Sequence, residues 1–435
     1  MNLSLQDPFA VAKEYPETLI QTFHHGHAVV IQFNVKGDYL AAGFSDGRIF
    51  IYDLVSYTIN AVLRKNGHVR QITSLNWSHC GRYLLSSSQD WCCILWDLKY
   101  ANKAGVDKNP AVIRKIRFDS PVWSASLHPR NPYILTASLF EDDPVHVDLT
   151  DADDFKVTKL KTEPLEQQEK EQNDAEPKKK ETKHMTLVTR FSPLGDFVMT
   201  GTSKGWLNIL NADKLETVYS TKVTNSNIKT LEISRNGRKL AVNSSDRVIR
   251  QFTLPDMLNN KDPSTWEFEI EHKYQDVVNR LQWNTVAFNH NSEFLVASTF
   301  GQSSQDLYLW ETQMGSLVKI LEGSHEELID VKWNYNKCMI GSTGLDTGAI
   351  YLWSVQFPSK WSALAPDFVE IEENDEYEEK EDEFDIIDET EVIKKRLEEE
   401  DTEVDIITRE TTDARGFDTG IESFVIPIDY EKPVF

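Results

Sequence analysis

Few residues of this chain have the type and spacing that covalent or metal chemistry needs. Ser86, Ser87 and Ser88 are consecutive, but none stands in a G-x-S-x-G elbow and none has a base placed beside it, so they read as small strand residues. His24, His25 and His27 crowd one short stretch; neighbours on a strand face opposite sides, which argues against a shared ion. Cys80, Cys92, Cys93 and Cys338 show neither CxxC spacing nor a matching His pattern. Neither zinc nor a disulfide framework is therefore expected, and a reducing compartment fits, either cytosol or nucleus. Asp46, Asp90 and Asp246 lie in turns before strand-like runs, where an Asp side chain bonds its own backbone. No catalytic residue, cofactor or metal site is expected.

The chemistry that is spaced for a task is recognition. Residues 361–388, WSALAPDFVEIEENDEYEEKEDEFDIID, thread Trp361, Phe368, Tyr377, Phe384 and Ile386 through a run of carboxylates. Carboxylates can pair with a basic, Arg-lined groove while aromatic anchors fill pockets. Exposed aromatics in an unfolded segment lower solubility unless a partner covers them, so this pattern is more than a solubilising tail.

Charge marks where that segment begins. Residues 361–435 hold 27 Asp and Glu against 7 Lys and Arg, whereas residues 1–360 hold 43 acids and 39 bases and are close to neutral. A dense run of like charge repels itself and buries little apolar surface, so residues 361–435 are expected to be a largely disordered acidic tail that orders on partners. No apolar run approaches the roughly 18 residues of a membrane helix, and MNLSLQDPFAVAKEYPE lacks the basic and apolar regions of a signal peptide. A soluble, non-secreted protein with no membrane partner is the expectation.

The elements that must carry the tail are repeats. The clearest are residues 28–54, 71–98 and 327–354; fainter copies lie at 122–138, 186–210, 228–252 and 281–298. Each of the clearest copies runs from an alternating apolar strand through a polar turn with Gly or Asn to a small-residue strand, then a turn with Asp and a strand closing on an aromatic before a polar residue. The closing residues are Tyr52, Trp96, Val147, Leu210, Phe252, Trp310 and Trp353, at the spacing of WD-type blades with some long loops. The fold expected is all-β, a seven-bladed WD40 β-propeller over residues 28–360. The small residues Ala41, Ala42, Gly43, Ser86, Ser87, Ser88, Gly341 and Ser342 are expected to fit the crowded strands beside the central channel.

Closing such a ring needs a latch, because the seventh repeat lacks an outer strand after Ile350–Val355. TLIQTF (18–23), within an N-terminal arm of residues 1–27, is apolar, β-prone and placed to supply it. Two stretches break the repeat. Residues 151–183 are polar and mixed in charge and read as a mobile loop between blades three and four, with Lys178, Lys179 and Lys180 as a possible nucleic-acid contact. Residues 259–276 read as a longer excursion before blade six.

MNLSLQDPF, GFSDGRIFIYDL, SSDRVIRQF, GSLVKILEG and above all WSALAPDFVEIEENDEYEEKEDEFD (361–385) carry a family resemblance. The chain resembles the retinoblastoma-binding-protein-five (Swd-one) family, WD-repeat subunits of COMPASS, the SET-domain complex that methylates lysine 4 of histone H3. A fungal-type member is the easier match. The resemblance implies a nuclear, non-enzymatic scaffold with no cofactor. It implies that Trp361, Ala365, Pro366, Asp367 and Phe368 lie against the SET-domain subunit and help activate it. It implies that Glu376, Tyr377, Glu378, Glu379, Glu383, Phe384, Asp385 and Ile386 bind the SPRY domain of the Ash-two-type subunit. Glu403, Val404, Asp405, Ile406 and Ile407 match a motif that docks onto a second WD-repeat subunit, and the nucleosome is a wider partner.

Two rival classes are weighed against this reading. A WD-repeat adaptor of a ubiquitin ligase or of RNA processing would share the propeller but have no reason to carry residues 361–386. A propeller enzyme would need acids, His residues or metal ligands converging on the channel. Residues 391–403 have helical spacing, either as a spacer helix or as one formed on binding.

Overall fold

The computed structural model describes residues 15–64, 66–102, 111–151, 155–162, 185–255, 263, 266–276, 280–301, 306–334, 336–355, 390, 393–394 and 424–427. By its internal contacts the chain divides into two units, residues 1–12 with 357–421 and residues 13–356 with 422–435. Of the first unit, only Thr390, Ile393 and Lys394 are described, and they are helical.

The second unit is a ring of seven four-stranded antiparallel sheets. Blade one holds β2 (Ala28–Phe33), β3 (Tyr39–Phe44), β4 (Ile49–Asp53) and β5 (Thr58–Leu63). Blade two holds β6 (Ile72–Trp77), β7 (Tyr83–Ser88), β8 (Cys92–Asp97) and β9 (Val112–Arg117), and blade three holds β10 (Val122–Leu127), β11 (Ile134–Leu139), β12 (Val145–Asp148) and β13 (Lys156–Lys159). In blade four the strands are β14 (Thr186–Phe191), β15 (Phe197–Thr202), β16 (Trp206–Asn211) and β17 (Thr217–Lys222). Blade five has β18 (Ile228–Ile233), β19 (Lys239–Ser244), β20 (Ile249–Thr253) and β21 (Glu269–Tyr274). Blade six has β22 (Gln282–Phe288), β23 (Phe294–Phe300), β24 (Leu307–Glu311) and β25 (Leu317–Leu321).

The seventh blade mixes the two ends of the ring. Its strands β26 (Leu328–Trp333), β27 (Met339–Gly344) and β28 (Ile350–Ser354) are followed by β1 (Thr18–Phe23), which pairs antiparallel with β28 from Thr18 opposite Ser354 to Phe23 opposite Ile350. Without β1 the edge of β28 would be an open row of backbone donors and acceptors. The aromatic and aliphatic closing residues of the seven repeats all sit on third strands and are all buried, because each faces a neighbouring blade.

Small residues lie on the second strand of each blade, not beside the channel as the sequence suggests. The first strands line the centre, where each contacts the first strand of the next blade. Those strands press on the second strand of the blade before. A Cβ on Gly43 would lie 2.7 Å from Ile72 Cγ2, one on Gly201 2.8 Å from Ile228 Cγ2, and one on Gly341 3.0 Å from Phe33 Cζ. Crowding between blades is the cause.

Two expected loops are also partly strand. β13 falls inside residues 151–183, where it pairs with β12, and Leu160 and Thr162 beyond it are buried. β21 falls inside residues 259–276 and pairs with β20. Both are outermost strands with polar sequences, KVTK and EIEHKY, because only one edge of each is paired and little of either is buried. Their apolar signal is correspondingly weak.

Candidate partner-docking surfaces

The sequence-derived docking segments lie outside the described residues. This holds for Trp361, Ala365, Pro366, Asp367 and Phe368; for Glu376, Tyr377, Glu378, Glu379, Glu383, Phe384, Asp385 and Ile386; for Glu403, Val404, Asp405, Ile406 and Ile407; and for Lys178, Lys179 and Lys180. What is described is the platform that ends at Val355, next to β28.

One face of that platform carries the turns between second and third strands, and its loops are held by buried polar networks. In blade two, the indole N–H of Trp96 donates to Ser86 Oγ at 2.8 Å, Ser86 Oγ lies 2.8 Å from His68 Nε2, and His68 Nδ1 lies 3.0 Å from Asp90. Asp90 also accepts the amides of Val69 and Cys92. Burial pushes the Asp90 carboxyl up, but hydrogen bonds from His68 and these amides outweigh it and hold it below its ordinary range. Asp90 thus does more than stabilise its own turn: it ties the loop entering blade two to the hairpin inside it. His68 is a residue that sequence reasoning missed; the available signal was a His after Gly67, with Asp90 and Trp96 following at blade-like spacing.

Blades five and seven solve the same problem with other residues. Asp246 accepts from Arg250 Nη2 at 2.6 Å and from Thr224 Oγ1 at 3.0 Å. Burial raises its carboxyl, and the bonds from Arg250 and Ser244 more than reverse this, leaving it at about 2. In blade seven Glu326 accepts the amides of Asp346 and Thr347 at 2.7 Å and the Tyr351 hydroxyl at 2.8 Å. Asp46 accepts the amide of Arg48, the simpler turn bond expected from sequence.

Several aromatic residues are exposed on this face. Trp123 and Phe140 stack with ring centroids 6.0 Å apart, and both are more than two-fifths exposed. Lys229 places its ammonium 5.2 Å from the Phe300 ring centre and donates to the Trp283 carbonyl, and burial pulls its pKa down. Trp91 is exposed on the tight turn of blade two at φ +68°. Aromatics left two-fifths to half exposed are residue types that anchor protein contacts.

At the opposite mouth of the channel a cavity of about 400 Å³ is lined by Gln32, Asn76, Arg190, Glu232 and Lys332 among others. Lys332 Nζ lies 4.0 Å from Glu232, and Arg190 and Arg235 add two further cations to the lining. Among the described residues no three His, Cys, Asp or Glu side chains are grouped to hold a metal ion. Among them too, no helix is long and apolar enough to cross a membrane.

Comparison with known proteins agrees with this architecture. The family described as WD domain, G-beta repeat matches residues 17–53 and 60–97, the latch with the first three strands of blade one and then most of β5 with the first three strands of blade two. The chain is 42% identical to "COMPASS component SWD1" of Saccharomyces cerevisiae, over 99% of this chain and 98% of the relative. It is 44% identical to "Set1 complex component swd1" of Schizosaccharomyces pombe, over 90% of this chain and 91% of the relative. The crystal structure of the Cps50 (Swd1) β-propeller domain of Myceliophteria thermophila is 40% identical. It superposes with a TM-score of 0.69, covering 78% of this chain and 100% of that one. The chain belongs to the Swd1, or retinoblastoma-binding-protein-five, family of WD-repeat propellers.

Proposed function

We propose that this chain is a non-catalytic scaffold subunit of a COMPASS-type histone H3 lysine-4 methyltransferase complex, working in the nucleus. The observation that carries this reading is the extent of the likeness. The alignment with the Saccharomyces cerevisiae COMPASS component spans 99% of this chain, so it takes in residues 361–407 as well as the ring. A propeller adaptor of another pathway would account for the ring alone.

In this reading the ring is a rigid base and the acidic segment is the tether. Trp361, Ala365, Pro366, Asp367 and Phe368 contact the SET-domain subunit. The acidic and aromatic box from Glu376 to Ile386 binds the SPRY-domain subunit, and Glu403–Ile407 dock the second WD-repeat subunit. Tethering partners on one chain raises their effective concentration to the millimolar range without any new contact. The rate gain comes from holding a mobile SET domain in its active arrangement, with no chemical contribution from this chain.

The test is methylation of histone H3 in a complex reconstituted from purified subunits, comparing the intact chain with a Tyr377→Ala/Phe384→Ala double variant. A loss of SPRY-subunit binding of 10-fold or more, together with reduced methylation and an unchanged melting temperature, is the expected result. Unchanged binding and rate would overturn the assignment of the box.

A further inference from the structure

On the face of the first-to-second-strand turns, each blade presents the residue that starts its second strand. Three of these residues are Tyr39, Phe197 and Phe294, in blades one, four and six. All three are covered by segments that lie outside the core strands. Trp266, from the loop before β21, packs edge-on against Phe197 with centroids 5.4 Å apart. Tyr15, ahead of the latch strand, packs on Phe294 at 5.5 Å. Tyr39 is covered by residues 424–427, which sequence reasoning left without a role.

The seat of that last segment is built. Ile426 is 1% exposed and belongs to the same apolar cluster as Tyr39, Ala61 and Leu98, with Phe424 packed beside it, while Val425 points outward at 69% exposure. The Ile426 amide donates to the Tyr39 hydroxyl at 3.4 Å. The side-chain amide of Asn102 donates to the Pro427 carbonyl at 2.8 Å and to the Asn60 carbonyl at 3.2 Å, which joins the segment to blade one. The wall from blade two is stiff: Arg82 grips both oxygens of Asp97, and Asp97 caps the short 3-10 turn Leu98–Tyr100. An alternating in-out-in pattern with backbone bonds, here at Ile426 and Pro427, is how an extended peptide is read by a groove.

We propose that the slot between blades one and two is a peptide socket whose resident ligand is the apolar-x-Ile-Pro segment Phe424–Pro427. The chain leaves the ring at Val355 and is seated again at Phe424, so occupancy anchors residues 356–423 at both ends and limits how far they reach. The socket stands independently of the proposed partners; only the consequence for their reach rests on that reading. An intramolecular ligand tethered by such a stretch is present at an effective concentration of order millimolar, which keeps the slot closed to the same peptide added from solution.

The experiment uses the full chain and a fluorescent peptide of residues 422–433, followed by anisotropy, with no other protein present. Ile426→Asp places a charge in the apolar seat, releases the resident segment and leaves the socket intact. That variant is expected to bind the peptide at least 10-fold more tightly than the intact chain, and adding Asn102→Ala is expected to weaken the binding again by about 5-fold, near one hydrogen bond. Circular dichroism melting confirms that the ring remains folded. If Ile426→Asp weakens the ring, Phe424→Ala, a milder change on the partly buried side of the segment, serves as the second release variant. Absence of peptide binding by both folded release variants, or equal binding by them and the intact chain, would overturn the socket. Because no partner subunit is in the assay, either result is distinct from failure of the scaffold assignment.

Discussion

The carboxylate of Asp330, on the first strand of blade seven, accepts the backbone N–H of Ile31, on the first strand of blade one, at 3.0 Å across the seam where the ring closes. The same position in other blades makes the same stitch with a hydroxyl. Ser74 Oγ accepts the Ala125 amide and Thr285 Oγ1 the Val331 amide, both at 2.9 Å. In each case the stitching residue sits at the irregularity where first and second strands change register, which turns a side chain toward the next blade.

Asp330→Ala leaves the buried Ile31 amide without this acceptor and is expected to destabilise the protein by about 2–3 kcal/mol, read by denaturant unfolding. Asp330→Asn keeps an oxygen there and should lose less than half as much. Burial raises the Asp330 carboxyl despite Lys332 and the Ile31 bond. Its contribution is therefore full below the ordinary carboxylate range and declines as pH rises through the raised folded value. The Asn variant should lack that decline.

Deleting residues 1–23 removes β1 and uncovers the edge of β28. A fall in melting temperature of about 5–10 °C is expected, with self-association on size-exclusion chromatography as open edges pair. An unchanged melting temperature would refute the latch.

Asp246 titrates with the opposite sign to Asp330. Its folded value of about 2 lies below the ordinary 3.8, so the stability it contributes is complete above the unfolded value and is lost as pH falls toward 2. The shift corresponds to roughly 2.4 kcal/mol, which solvent screening at this partly exposed site reduces to about 1–2 kcal/mol. Asp246→Asn should differ from the intact chain by that amount at pH 7, and the difference should shrink by roughly half at pH 3. A difference that stayed constant over this range would show that the bonds to Arg250 and Ser244 do not depend on charge.

Ser86 stands between two buried nitrogen atoms, Trp96 Nε1 and His68 Nε2. Ser86→Ala removes the partner of both and is expected to lower stability by about 2–3 kcal/mol. Amide hydrogen exchange should speed up first at Val69 and Cys92, whose N–H groups bond to Asp90. Uniform exchange across all seven blades would mean that the network holds nothing local.

Seven repeats, the β-prone strand that closes them and the step in charge at residue 361 were legible from residue order alone. Repeated turn-and-strand chemistry leaves a periodic trace, and a run of acids has no core to hide in. The outer strands β13 and β21 were not, since a strand paired along one edge buries too little to show an apolar pattern. Asp330 was equally silent, because its partner lies 299 residues away along the chain.

The acidic and aromatic segments remain a matter of sequence, and their roles rest on family likeness. Only the tertiary structure decided where the small residues are crowded, how the ring is stitched shut and that Ile426 is seated beside Tyr39. A stretch as short as FVIP has no periodicity to announce burial; its place depends on a slot assembled from two blades far earlier in the chain.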